Sequence, residues 1–149
     1  MNRERFKHFM PPVVGLLEFS LSAFMFLMAV SSFSSYLTLA YLPEFRGIVV
    51  TEQAYIGILA LFAFVFGIAG AISAFKRWSL FVSIFGALLM TCWGIVTIGY
   101  ALTWLAASPY IQLAVTWGTF SIFFSMLIVI IALVSRDEFA PHALSRAGY

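Results

Sequence analysis

"GIAGAISAFKRWSLFVSIFGALL", residues 67–89, contains two apolar segments joined by the short basic run "KRWS". An apolar segment on each side of a short basic turn is typical of two membrane-spanning helices that meet on one side of a bilayer. So short a connection leaves room only for a sharp reversal of the chain. The stretch therefore predicts a tight antiparallel hairpin between two membrane-spanning helices.

The composition of the whole chain agrees with a membrane protein. Of its 149 residues, 63% are hydrophobic and 9% are charged, and the mean hydropathy is +1.04. A soluble domain carries about 25% charged residues to cover its surface. The single cysteine, Cys92, excludes an internal disulfide. The chain is therefore expected to be an integral membrane protein.

Four apolar segments are each long enough for a helix that crosses about 30 Å of hydrocarbon. We place these helices at residues 12–36, 55–75, 79–105 and 110–135. Pro11 and Pro12 suit the first turn of the first helix, where a missing N–H is tolerated. The segments are apolar on all sides, unlike the alternating strands of a membrane barrel. The predicted fold is an all-α, four-transmembrane-helix bundle, one domain over residues 1–149 with short cytoplasmic tails.

The basic residues predict the orientation of this bundle. A four-span topology places most of them on one side: Arg3, Arg5, Lys7, Lys76, Arg77, Arg136 and Arg146. Arg46 falls on the opposite side. The positive-inside rule then predicts that both termini are cytoplasmic. The basic flanks are too short to bind nucleic acid, but they favour anionic lipid at the cytoplasmic face.

Small residues recur at three-four spacing along each predicted helix. In a bilayer, helices associate largely through close packing of such residues. The glycines that we expect to pack between helices are Gly67, Gly70, Gly86 and Gly118. The seam of helix 1 contains Gly15, Glu18, Ser22, Met25, Ala29, Ser32 and Tyr36, and that of helix 3 contains Ser83, Gly86, Met90, Trp93 and Thr97.

Residue patterns for catalysis or cofactor binding are missing from the predicted spans. His8 and His142 lie in the flanks, and no span contains a cluster of His, Cys and carboxylate ligands. The sequence has no nucleophile elbow, no glycine-rich phosphate loop and no pair of carboxylates within the membrane. We therefore expect a protein that is not an enzyme and that holds no metal or cofactor.

Glu18 is the one carboxylate inside the apolar run "VVGLLEFSLSAFMFLMAV", residues 13–30. It lies about 9 Å along the helix from Pro12, and an ionisable residue at such a depth is a functional candidate by default. A structural role is the other interpretation, in which Glu18 is protonated or paired and holds helices together. The candidate partners for that role are Ser83, Ser73, Lys76, Arg77 and Arg136.

Two resemblances suggest what such a bundle does. Residues 67–89 and the later "LVSRDEF", residues 133–139, resemble a loose class of small prokaryotic tetraspan proteins, which implies a prokaryotic plasma membrane. The chain is also similar to small multidrug resistance transporters, which have four helices, a membrane glutamate in helix 1 and an aromatic-lined pocket. That similarity implies that Glu18 is the coupling carboxylate and that Trp93 and Tyr100 form the aromatic wall. Leu17 departs from the family, which has a small residue before the glutamate and a shorter chain.

Two functions from different classes follow. The first is a non-catalytic accessory subunit of a larger integral membrane complex, such as a respiratory or monooxygenase-type enzyme. Its partners would be other integral membrane subunits and membrane lipids. The alternative is a homodimeric, proton-coupled transporter of small hydrophobic cations that uses Glu18.

Overall fold

Four long helices account for most of the chain. The computed structural model describes residues 3–41, 48–104 and 111–139, and within these ranges it contains helices and no strands. The helices are α1 (Arg3–Ala40), α2 (Ile48–Lys76), α3 (Leu80–Trp104) and α4 (Ile111–Val134), followed by a 3₁₀ turn at Arg136–Glu138. Each contains a segment long and apolar enough to cross a membrane: His8–Thr38, Thr51–Lys76, Leu80–Thr103 and Ile111–Val134. Within the described ranges, the prediction of an all-helical protein with four helices long and apolar enough to span a membrane is confirmed.

The start of α1 differs from the prediction. The helix begins at Arg3, so Pro11 and Pro12 lie inside it and not in its first turn. Pro12 has no N–H to donate to the carbonyl oxygen of His8, four residues earlier. Arg77, which follows α2, donates from Nη2 to that oxygen at 2.9 Å. A side chain from elsewhere in the fold thus satisfies the carbonyl that the proline leaves free.

The four helices form a ring in which each packs along its neighbour in sequence. In addition, α1 meets α4 and closes the ring. Gly15 lies beside Phe75 and Glu18 beside Gly70, so α1 and α2 run antiparallel. We call the end that holds Lys76, Arg77 and Arg136 the basic end. The opposite end, which holds Glu52, Gln53 and Thr103, is called the far end.

Glycines allow close approach of the helix backbones at two contacts, one between α2 and α3 and one between α3 and α4. A Cβ added at Gly86 would lie 2.8 Å from the carbonyl oxygen of Phe66 in α2. A Cβ at Gly118 of α4 would lie 2.8 Å from the carbonyl oxygen of Gly94 in α3. Only a residue without a side chain allows such close backbone approach. Because Gly86 and Gly118 have no side chains, α3 can pack closely against α2 on one side and α4 on the other.

The other glycines that the sequence singled out also lie between helices. Gly67 of α2 is buried and packs against Met90 of α3 and Ser22 of α1, and Gly70 packs against Glu18. The large apolar side chains mostly point outward; Phe81 is 75% exposed and Phe123 is 64% exposed. Small residues therefore fill much of the interior beside a few large side chains such as Trp93 and Met90, and most of the bulky apolar side chains form the surface available to lipid or protein.

A second seam on α3 is absent from the sequence-based prediction. Ala87, Thr91, Gly94 and Ala101 are buried at successive spacings of four, three and seven residues, and Gly94 faces Gly118 of α4. The first α3 seam instead faces α1 and α2, since Ser83 contacts Glu18 and Gly86 contacts Phe66. A helix with neighbours on two sides needs two small-residue faces. The spacing of Ala87, Thr91 and Gly94 is the signal that could have indicated the second one.

Candidate functional site

Glu18 lies in the interior of the bundle, where α1, α2 and α3 meet. Its side chain is fully buried, and the hydroxyl of Ser83 donates to Oε1 at 2.8 Å. A Cβ at Gly70 would lie 2.8 Å from Oε1 and 3.1 Å from Oε2. The carboxyl group therefore occupies the space that a side chain at residue 70 would need. Oε2 has no hydrogen-bond partner among the described residues.

Ser83 is the partner that the structure gives to Glu18. The other candidates are engaged elsewhere: Ser73 with Ser79, Lys76 with Trp78, Arg77 with His8 and Glu138, and Arg136 with Asp137. Among the side chains that the structure describes, from His8 onward, no basic group forms an ion pair with Glu18. The surroundings of this carboxyl group are thus one hydroxyl and the closely packed helices.

Several other buried hydroxyls are bonded within or between helices, whereas that of Thr97 has no hydrogen-bond partner among the described residues. Thr91 of α3 and Ser125 of α4 share a hydrogen bond of 2.7 Å between their hydroxyl oxygens. Ser121 donates to the carbonyl oxygen of Met90 at 2.8 Å, and Ser22 donates to that of Glu18 at 2.6 Å. Buried polar groups that are paired in this way add specificity to helix packing. The hydroxyls of Thr91, Ser125 and Ser121 therefore link α3 to α4, and the Ser22 bond lies within α1.

Trp93 is nearly completely buried and belongs to an aromatic cluster between α1, α3 and α4. Its ring meets the Phe24 ring edge to face at a centroid distance of 6.0 Å, and Phe24 also contacts Trp117 at 5.2 Å. The indole nitrogen Nε1 of Trp93 has no hydrogen-bond partner in the described part of the chain. Packing with other rings is thus the main interaction of this side chain.

A cavity of about 180 Å³ separates the helices toward the far end. Its lining includes Trp93, Thr97 and Tyr100 of α3 and Gln53 of α2. The sequence identified Trp93 and Tyr100 as candidates, but it did not identify Gln53, which looked like part of a connecting loop.

Glu18 does not line this cavity. Its partner Ser83 lies ten residues before Trp93 on α3, a distance of about 15 Å along the axis at 1.5 Å per residue. Tyr100 lies about two further turns away. The structure therefore brings Trp93 and Tyr100 to one cavity and leaves the carboxyl group of Glu18 outside it.

The basic end contains a polar cluster that joins three parts of the chain. Arg77 donates to Glu138 Oε2 at 3.1 Å from one nitrogen and to the His8 carbonyl oxygen at 2.9 Å from the other. Its backbone φ is 55°, a left-handed conformation that disfavours residues with a Cβ. The fork of the guanidinium group thus ties α1 to the turn after α4 while its own backbone is strained.

Replacing Arg77 separates the stabilisation from its hydrogen bonds from the cost of its left-handed backbone. We expect Arg77→Ala to lower the free energy of unfolding by about 1–2 kcal/mol, because two hydrogen bonds to a partly buried guanidinium group are lost. Arg77→Gly loses the same bonds but relieves the left-handed backbone, so it should be about 1 kcal/mol more stable than the alanine variant. Unfolding in detergent measures both, with Lys76→Ala as the control. Equal stability of the glycine and alanine variants would show that the backbone at residue 77 is not strained.

These features define a class of protein: a helical membrane protein with four candidate spans and a buried, hydroxyl-bonded carboxyl group. Comparisons of the chain with models of known protein families, with curated proteins and with solved structures find no match.

Proposed function

We propose that the chain is a non-catalytic accessory subunit of a larger integral membrane complex, such as a respiratory or monooxygenase-type enzyme. The observation that carries this proposal is the closed environment of Glu18. The carboxyl group is fully buried, accepts a bond from Ser83 and packs against Gly70. A carboxyl group used to hold helices together fits a structural subunit better than a proton carrier, which needs a path to water.

The outer surface supplies faces on which partner subunits could pack. Phe81 and Phe85 stack beside each other on α3, with ring centroids 6.1 Å apart, and Phe123 projects from α4. Aromatic side chains are enriched in protein interfaces. Lipids would cover the remainder of this apolar surface.

Purification of the tagged full-length chain from its native membrane in a mild detergent tests the proposal. We expect the chain to migrate in a complex with a larger membrane protein at fixed stoichiometry. Phe81→Ala and Phe123→Ala alter different outward faces, so the variant that loses the partner while keeping its own thermal stability identifies the contact face. Migration of the wild-type chain alone, or only as a homodimer, would contradict the proposal.

The alternative, a homodimeric proton-coupled transporter of hydrophobic cations, is favoured by the cavity that Trp93 and Tyr100 line. It requires Glu18 to exchange protons with the binding site. The distance of about 15 Å along α3 between the levels of Ser83 and Trp93 gives that coupling less support. Binding of a cation whose pH dependence disappears in Glu18→Gln would favour the transporter.

The same proposal includes the orientation of the bundle in a prokaryotic plasma membrane. The basic end, with Lys76, Arg77 and Arg136, would face the cytoplasm together with both termini. The three residues Arg77–Ser79 would then form the cytoplasmic turn of a tight hairpin between α2 and α3. Anionic lipid headgroups are the expected neighbours of this end.

Cysteine labelling tests the orientation. In a Cys92→Ser background, we expect Tyr41→Cys to react with an impermeant thiol reagent on intact cells and Asp137→Cys to react only after the cells are opened. Both native side chains are exposed, at 83% for Tyr41 and 67% for Asp137, so access to the reagent depends on the side of the membrane. Labelling of Asp137→Cys alone on intact cells would reverse the orientation.

A further inference from the structure

A groove between α2 and α3 opens at the far end of the bundle. It has a volume of about 430 Å³ and is lined by Glu52, Tyr55 and Ile56 of α2 and by Val96, Gly99, Tyr100 and Thr103 of α3. Glu52 drew no attention in the sequence because it precedes the predicted start of helix 2. In the structure, α2 begins at Ile48, so the carboxylate stands on the helix beside the groove.

Glu52 contributes a negative charge that no described cation neutralises. The ion pairs of the described ranges join His8, Arg77 and Arg136 to Glu138 and Asp137. All of these lie at the basic end, the full length of α2 away from Glu52. The side chain is half-buried, so its charge is less screened than that of a fully exposed carboxylate. Glu52 therefore places a carboxylate at the edge of the groove.

The walls of the groove are aromatic and aliphatic. Tyr55 is 64% exposed and Tyr100 is 8% exposed. The hydroxyl of Thr103 donates to the carbonyl oxygen of Gly99 at 2.8 Å, so it is not free to donate to a ligand. A Cβ at Gly99 would meet no atom within 4 Å. The space beside Gly99 is therefore open to a ligand.

We propose that this groove binds a monovalent organic cation, a quaternary or protonated amine with apolar substituents. The ammonium group would pair with Glu52, and the apolar part would lie against Ile56 and Val96. The exposed aromatic ring of Tyr55 favours a cation over a neutral molecule. Ca²⁺ and Mg²⁺ are a poor fit, because these ions need about six or more oxygen ligands and the lining has a single carboxylate. The site goes beyond the accessory role proposed above and does not involve Glu18.

Equilibrium dialysis with radiolabelled benzyltrimethylammonium tests the site. The full-length chain is held in maltoside micelles, which contain no amine and carry no charge. We expect saturable binding of one cation per chain. The absence of saturable binding up to about 10 mM, above which specific affinity is negligible, would overturn the proposal.

Single substitutions locate the bound cation. Glu52→Gln keeps the shape and removes the charge, and we expect it to weaken binding about tenfold. Tyr55→Leu should weaken binding about threefold through loss of a cation–π contact. Gly99→Leu places a side chain in the open space and should abolish binding while thermal stability is kept. Unchanged affinity in Glu52→Gln would overturn the assignment.

Two matched variants remove a carboxylate elsewhere. Asp137→Asn makes the same change of charge at the basic end, and Glu18→Gln makes it inside the bundle. Both should bind the cation with wild-type affinity. If Asp137→Asn lowered the affinity for the cation as much as Glu52→Gln, the effect would come from the net charge of the chain. If Glu18→Gln lowered that affinity, the cation would bind at Glu18. Either result would overturn the site.

Added lipid distinguishes the two sources of such an amine. If phosphatidylethanolamine displaces the probe and phosphatidylglycerol does not, the groove holds a lipid headgroup. If neither lipid displaces it, the ligand is a soluble amine. In both cases the cation occupies the groove at Glu52.

Discussion

Gly70→Ala should destabilise the bundle by about 1–3 kcal/mol, because the new methyl group enters space that the Glu18 carboxyl group already fills. The contact distances of 2.8 and 3.1 Å from such a Cβ to the two carboxyl oxygens are shorter than packing allows. Unfolding of the purified chain by SDS in mixed micelles measures the loss. The cost should largely disappear when Glu18 is replaced by alanine, because the methyl group then fills part of the vacated space.

The double-mutant cycle isolates this contact. Glu18→Ala alone should cost about 1–3 kcal/mol, since the Ser83 hydroxyl loses its acceptor and a gap opens. With both substitutions present, the summed effect should exceed the measured one by about 1 kcal/mol or more. Additive losses would show that Glu18 and Gly70 do not share the space that the structure gives them.

Glu18→Gln tests whether the proton matters. An uncompensated carboxylate at this depth costs on the order of 3 kcal/mol, so we expect the group to be uncharged. Glutamine keeps the oxygen that accepts from Ser83 and should leave stability and complex assembly close to those of the wild type. If Glu18→Gln instead abolishes the activity of the complex as fully as Glu18→Ala while both variants assemble, the proton of Glu18 takes part in function and the accessory role is wrong.

Alanine at Gly86 or Gly118 should be more damaging than alanine at Gly70. The added Cβ would lie 2.8 Å from a backbone carbonyl oxygen in each case, that of Phe66 or that of Gly94. A backbone atom inside a packed helix cannot rotate away as a side chain can, so the two helices must separate. We expect losses of about 3 kcal/mol in the free energy of unfolding.

Gly99→Ala is the matched control for these two variants. It makes the same chemical change on α3, but its Cβ meets nothing within 4 Å. We expect its stability to be equal to that of the wild type or higher by up to about 1 kcal/mol, because alanine is the better helix former. A loss at Gly99 as large as that at Gly86 would mean that backbone flexibility, and not close packing, explains the glycines.

The sequence by itself determined that the chain forms four helices long and apolar enough to span a membrane. Long apolar segments with few charges admit no other solution, because every backbone polar group in hydrocarbon must be bonded within its own helix. Three-four spacing of small residues also picked out Gly67, Gly70, Gly86 and Gly118 as packing candidates. These features are local, so they can be read along the chain.

The tertiary structure alone decided which groups meet. Ser83, and no cation, bonds to Glu18, and Arg77 bonds to the carbonyl oxygen that Pro12 leaves free. The second small-residue seam of α3 is buried because α4 packs against it. Glu52 gains its aromatic surroundings only because α2 begins early and runs antiparallel to α3. Such contacts depend on the rotation and register of each helix against its neighbours, which a pattern of apolar residues does not specify.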